Sequence, residues 1–160
     1  MSVEVTYNSI LSVKETLGTG VSLVTTPTIT HDGLSTGGTF NASGTIPCTK
    51  VSSGVATLSA GAGTINLAAM PGVNGGTVDF TGLKVQFVKL SNPSANNIVV
   101  TPGAANGIDL FGAASSITIA PGQELLFKFN ETGPDVAAAD RTLDLAGTLA
   151  QTLNFVFVAG

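Results

Sequence analysis

The only histidine of the chain, His31, stands directly before Asp32 in the triplet HDG. A hydrolytic triad needs a nucleophile beside the imidazole and a third group that orients it. Serines are abundant, but there is no G-x-S-x-G elbow, and HDG inside a polar stretch reads as an ordinary turn. One histidine and one cysteine, Cys48, do not make a zinc site without carboxylates from elsewhere. Asp135, Asp140 and Asp144 are close in sequence but lack D-x-D-x-D-G spacing. A β-loop calcium site would have to form without a linear motif. Asp109 with Glu124, or Glu131 with Asp135, has the residue types of a glycosidase pair. With ten acids in the chain such pairs arise by chance, and no tryptophan supplies a sugar-stacking platform. GTG at 18–20 and GAG at 61–63 lack the lysine of a phosphate loop and read as turns. No residue is therefore assigned a catalytic, cofactor-binding or metal-ligating role. The chain is expected not to be an enzyme and to carry no cofactor.

Composition narrows the partners. In 160 residues, 43% are apolar and only 10% are charged, against about 25% charged in an ordinary globular domain. Such a chain can bury a core, but its surface must be built from Thr, Ser, Asn and Gly. That suits a protein packed against neighbours. The formal charge of −4 and scattered Lys and Arg argue against nucleic acid, which needs clustered cations. The same sparsity removes a polybasic route to anionic membranes. No run approaches the roughly 18 apolar residues of a membrane helix. MSVEVTYNSI shows no basic segment followed by an apolar run, so synthesis in a cytoplasm is expected. NAS at 41–43 and NET at 130–132 match the glycosylation sequon but carry little weight without such a leader. Cys48 has no partner for an intrachain disulfide and reads as a small buried or interfacial residue.

The elements that would position any site are β-strands. Val, Ile, Thr and Phe dominate the periodic runs, punctuated by Gly and Pro. Strands are expected at 3–7, 20–30, 50–58, 64–68, 83–90, 97–101, 115–119, 123–129 and 151–158. NLAAM at 66–70 and DVAAADRT at 135–142 are each expected to make one helical turn. Leu125, Phe127 and Phe129 form one face of a strand and Glu124, Leu126 and Lys128 the other. Leu153, Phe155 and Phe157 repeat the pattern. LKVQFVKL starts by alternating, with Leu83, Val85 and Phe87 inward, then turns apolar on both faces at Val88 and Leu90. That pattern marks a central strand covered on both sides, or one touching another subunit. Pro121-Gly122 fits a type II turn. Short strands joined by such corners predict an all-β fold, a β-sandwich or jelly-roll-like domain. Residues 1–55, rich in Thr, Ser and Gly, read as an extended N-terminal arm, and 56–160 as the sandwich domain.

Residues 60–158 resemble a known group. TVDFTGLKVQFVKLSN ending in Asn92, NNIVVTPGAAN and IAPGQELLF, followed by a short acidic loop and a last apolar strand, are similar to small β-rich proteins encoded beside capsid genes of tailed bacteriophages. The resemblance implies a virion structural protein that decorates the outer head surface, assembled in the host cytoplasm. It implies two partners, the major capsid protein and further copies of the chain, with a homotrimer favoured. On that basis residues 1–55 are expected to carry the capsid contacts. Leu83–Leu90 and Gln151–Val158 are expected to build the core and the subunit interface. The alternatives are another virion part, such as a head fibre base or tail component, and a carbohydrate-binding or adhesive β module using Tyr7 and exposed Phe residues.

Overall fold

Period-two alternation becomes strand along most of the chain. A computed structural model describes residues 3–16, 28–31 and 35–160. The chain divides into Glu4–Phe40 and a larger unit, Asn41–Gly160 with Met1–Val3. In the smaller unit, β1 (Glu4–Ser9) joins β4 (Thr36–Asn41) in a two-stranded sheet. There, β2 (Val13–Thr16) pairs antiparallel with β3 (Thr28–His31), Val13 opposite His31.

The larger unit holds β5 (Lys50–Thr57), β6 (Ala62–Asn66), β7 (Met70–Pro71), β8 (Thr77–Val78), β9 (Val85–Ser91), β10 (Ile98–Pro102), β11 (Ile117–Ile119), β12 (Glu124–Lys128), β13 (Thr142–Ala146) and β14 (Thr152–Ala159). Two four-stranded sheets, ordered β12-β9-β14-β5 and β11-β10-β13-β6, face each other, and β7-β8 is a separate two-stranded ribbon. Every pairing within the two larger sheets is antiparallel. Their inner faces meet in one hydrophobic cluster. Ile65, Ile98, Val100, Ile119, Leu143 and Leu145 come from one sheet, and Val85, Val88, Leu90, Leu153, Phe155 and Phe157 from the other. The fold is an all-β sandwich. The chain crosses between sheets repeatedly. With β5, β6 and β9–β14 counted as strands one to eight, the sheets read 6-3-8-1 and 5-4-7-2.

β14 and β5 are matched in size. Leu153, Phe155 and Phe157 of β14 stand opposite Ala56, Gly54 and Ser52 of β5. A Cβ on Gly54 would sit 3.0 Å from both the Phe155 ring and Pro71. The small inner face of β5 leaves room for the Phe155 ring against Gly54. The boundary expected near residue 55 falls inside this strand, and the compact units divide earlier, between Phe40 and Asn41.

β9 departs from simple alternation at one residue. Val85 pairs with Ala159 and Phe87 with Val158, so Gln86 is an extra residue against β14, a β-bulge. The bulge flips the side-chain phase. Val85, Val88 and Leu90 join the core, while Phe87, expected inward, turns to the outer face with Val158. Gln86 is itself buried; its Nε2 donates to Gly160 O at 3.4 Å, and its Oε1 accepts no hydrogen bond among the described residues.

The stretch SSITIAPGQELLFKFN forms a corner between the sheets, since β11 and β12 belong to different ones. Gln123 N donates to Ala120 O at 3.0 Å, and Gly122 has φ +72°, the positive value a type II turn demands at this position. Asn92, fully buried, clamps the corner. Its Nδ2 donates to Ile119 O at 2.8 Å and Asn96 O at 2.9 Å, its Oδ1 accepts from Ser94 N, and its backbone bonds both Gly122 and Gln123.

Neither expected helical turn is present. NLAAM is a β-turn, Ala69 N donating to Asn66 O, with Asn66 Oδ1 accepting from Ala68 N. In DVAAADRT, Ala137 and Asp140 exchange backbone bonds and the chain runs on into β13. Alanine's helix propensity loses there to the next strand, whose Leu143 and Leu145 are buried in the core. Among the described residues the one helical element is a 3-10 turn at Val73–Gly75.

Phe157→Ala should lower the unfolding free energy by about 3–5 kcal/mol in urea titrations. Asn92→Ala should cost about 2–3 kcal/mol, because Ile119 O and Asn96 O lose a buried donor.

Candidate interaction surface

The residues with chemistry-bearing side chains are dispersed by the fold. Asp135 is paired with Lys84 at 3.3 Å. Asp144 accepts from Thr64 Oγ1 at 3.0 Å and from Ala104 N at 2.8 Å. Glu124 pairs with Lys89 across β12 and β9 at 3.1 Å. Among the described residues no three His, Cys, Asp or Glu side chains are grouped for a metal ion. His31 is the last residue of β3, and Asp32 and Gly33 of the HDG triplet lie outside the described residues. Cys48 is buried, as its reading required, and burial pushes its thiol pKa up. A protonated, enclosed thiol is a poor nucleophile.

The outer face of the β12-β9-β14-β5 sheet is the most distinctive surface. β-register places Val51, Ser53, Val55 and Thr57 of β5 opposite Val158, Val156, Asn154 and Thr152 of β14. Beyond them lie Phe87 and Lys89 of β9, then Leu126 and Lys128 of β12. On this face Val55 is 59% exposed, Leu126 48%, Val51 43% and Val156 36%. Phe87 and Val158 are nevertheless buried. An ordinary one-sided antiparallel sheet turns polar residues to water; this one is apolar on both sides. Its charges are confined to the β9–β12 end, where a shallow recess of about 200 Å³ is lined by Lys89, Ser91, Glu124, Asn154, Phe155 and Val156.

A second recess of about 490 Å³ runs between the start of β5 and β8, lined by Thr49, Lys50, Val51, Thr77, Val78, Asp79 and Val3. Lys50 Nζ donates to Asp79 O at 2.6 Å across it. The Asp79 carboxylate accepts from the Thr81 side chain and from Thr81 N at 2.8 Å, and these bonds hold its pKa below the usual aspartate value.

In the smaller unit, Ile10, Leu11 and Val13 are exposed in succession, Ile10 to 76%. Two-stranded sheets are marginal by themselves in water, so apolar residues left uncovered on them mark a surface that gains by docking.

None of the aromatic side chains is exposed. The eight Phe and one Tyr are all buried or half-buried; Phe127 meets Phe111 at a tilt of 47° and stacks with Phe129. The Tyr7 and Phe platforms expected for sugar binding therefore do not stand free.

No protein-family model, no curated protein and no solved structure matches the chain.

The double variant Leu126→Ser/Val156→Ser should keep the unfolding free energy within about 1 kcal/mol of the parent, since both side chains are exposed. The Cys48 thiol should resist thiol reagents until denaturant is added. Because the Asp79 pKa is lower in the folded state, its contribution to stability is full above the ordinary aspartate range and is lost as pH falls through the folded value. Asp79→Asn should flatten that acid limb of a stability-against-pH curve.

Proposed function

We propose that the protein is a virion structural component, a decoration or cement protein that binds the outer surface of a phage head and stabilises it. The observation that carries this reading is the apolar outer face of the β12-β9-β14-β5 sheet. There four aliphatic residues stand exposed on one four-stranded layer, in a chain with only 10% charged residues. We read the strand order 6-3-8-1 beside 5-4-7-2 as a jelly roll, an architecture used in capsid and lectin domains. Fold alone does not assign function, so the reading leans on the surface and on the resemblance of residues 60–158.

The mechanism is mechanical. Each copy docks on shell proteins through apolar β surfaces, Ile10, Leu11 and Val13 among them, and many modest interfaces sum through multivalency to oppose internal pressure. Of the alternatives, a glycan-binding module is disfavoured by the absence of an exposed aromatic side chain among the described residues.

The test is quantification of the protein by mass spectrometry in purified particles, relative to the major shell protein. A fixed large fraction of the shell copy number is the expected result. A handful of copies would move the protein to a fibre or tail, and absence would overturn the virion reading. Particles assembled with Leu126→Ser/Val156→Ser should carry fewer copies and lose integrity at lower temperature.

A further inference from the structure

Two sheets leave four rims, formed by β12, β5, β11 and β6. Proteins protect such edges with short strands, charges or prolines. β11 has only three residues, and β12 carries Glu124 and Lys128 at its two ends. β5 has none of these protections. It runs for eight residues, KVSSGVAT, with one charge at its first position. Its ladder partner is β14. Among the described residues no backbone group of 50–57 bonds to anything on the opposite edge. The inner side of the strand is closed by β7, where Ser52 Oγ donates to Pro71 O at 2.7 Å and Pro71 lies against Gly54. β8 flanks the start of the strand, where Lys50 Nζ donates to Asp79 O and Val51 borders the recess between them; the backbone groups of the edge make no bond on that side among the described residues.

We infer that β5 pairs antiparallel with β5 of a second copy about a two-fold axis through Ser53, joining two four-stranded sheets into one continuous layer. A two-fold interface must be self-complementary, and β5 is so about this residue. Facing residues in an antiparallel pair share a face of the sheet, so the register is confined to whole two-residue steps. Centring on Ser53 sets Val51 opposite the other copy's Val55, and Val55 opposite its Val51. Exposed valines then cover one another in two cross-strand pairs. On the inner side the small Ser52 meets Gly54, so nothing bulky obstructs approach. Lys50 faces Ala56, which keeps the two ammonium groups at opposite ends of the pair. A register one step either way breaks this matching, setting Val51 against Thr57 or Ser53. Pairing of β5 with β12 in a ring would instead set an eight-residue edge against a five-residue one with charged ends. The inference stands on the edge alone and does not depend on a place in the virion.

The full chain tests it by sedimentation velocity and by site-directed crosslinking in a Cys48→Ser background. A dimer is expected, and Ser53→Cys should form an intermolecular disulfide under mild oxidation. Val55→Cys alone should not, whereas a mixture of Val51→Cys and Val55→Cys chains should. Val55→Lys, a substitution at an exposed position, should weaken the dimer by roughly tenfold or more with an unchanged urea midpoint. A monomer at high micromolar concentration would overturn the inference. So would a trimer, or a dimer in which Ser53→Cys stays reduced. Absence from purified particles would sink the decoration reading and leave this pairing untouched.

Discussion

The sandwich depends on the burial of one face of β14. Leu153, Phe155 and Phe157 lie between β9 and the small inner residues of β5, and the rings of Phe155 and Phe157 meet at 5.8 Å with a tilt of 59°. Without those side chains β5 has only Ser52, Gly54 and Ala56 to offer the core. A strand so poor in apolar surface on its inner side is held by its neighbour, through backbone pairing and the rings that cover it. The opposite sheet meets the same cluster through Ile65, Ile98, Val100, Leu143 and Leu145, so both layers converge on these three residues.

The second constraint is scarcity of charge. The ion pairs Lys84–Asp135 and Lys89–Glu124 are both solvent-exposed and worth little individually. Polar order comes instead from side-chain amides. Asn92 fastens one corner, and Gln151 another by accepting from Thr148 N and donating to Asn96 O at 2.9 Å. A surface held by neutral groups leaves its valines without a surrounding field of like charge, which favours close contact with other protein surfaces over repulsion.

How much of this was legible in the sequence follows from residue size. Strands with large residues on one face, such as β12 and β14, declare themselves by alternation, and the Pro121-Gly122 corner by its turn chemistry. β13 was missed because alanines before it imitate a helix, although Leu143 and Leu145 alternate around Asp144. The place of β5 in the sandwich was hidden because its inner face is Ser, Gly and Ala, so a structural strand resembled a polar arm. The bulge at Gln86 left no sequence signature, and Phe87 therefore changed sides. The interaction surface was half visible: Leu126 falls on the face of its strand opposite Leu125 and Phe127, whereas Val51 and Val55 sat in a stretch read as arm.

The position of β14 has a consequence for synthesis. A ribosome delivers β5 and β9 early and β14 after every other strand of the sandwich, yet β14 is the strand that lies between them. Until it emerges, the two cannot join one sheet, and the cluster lacks its aromatic centre. The nascent chain thus carries open strand edges and uncovered apolar faces for most of its elongation, the condition in which neighbouring chains on one message associate wrongly. Completion of the core is in effect a signal that translation of the sandwich has finished.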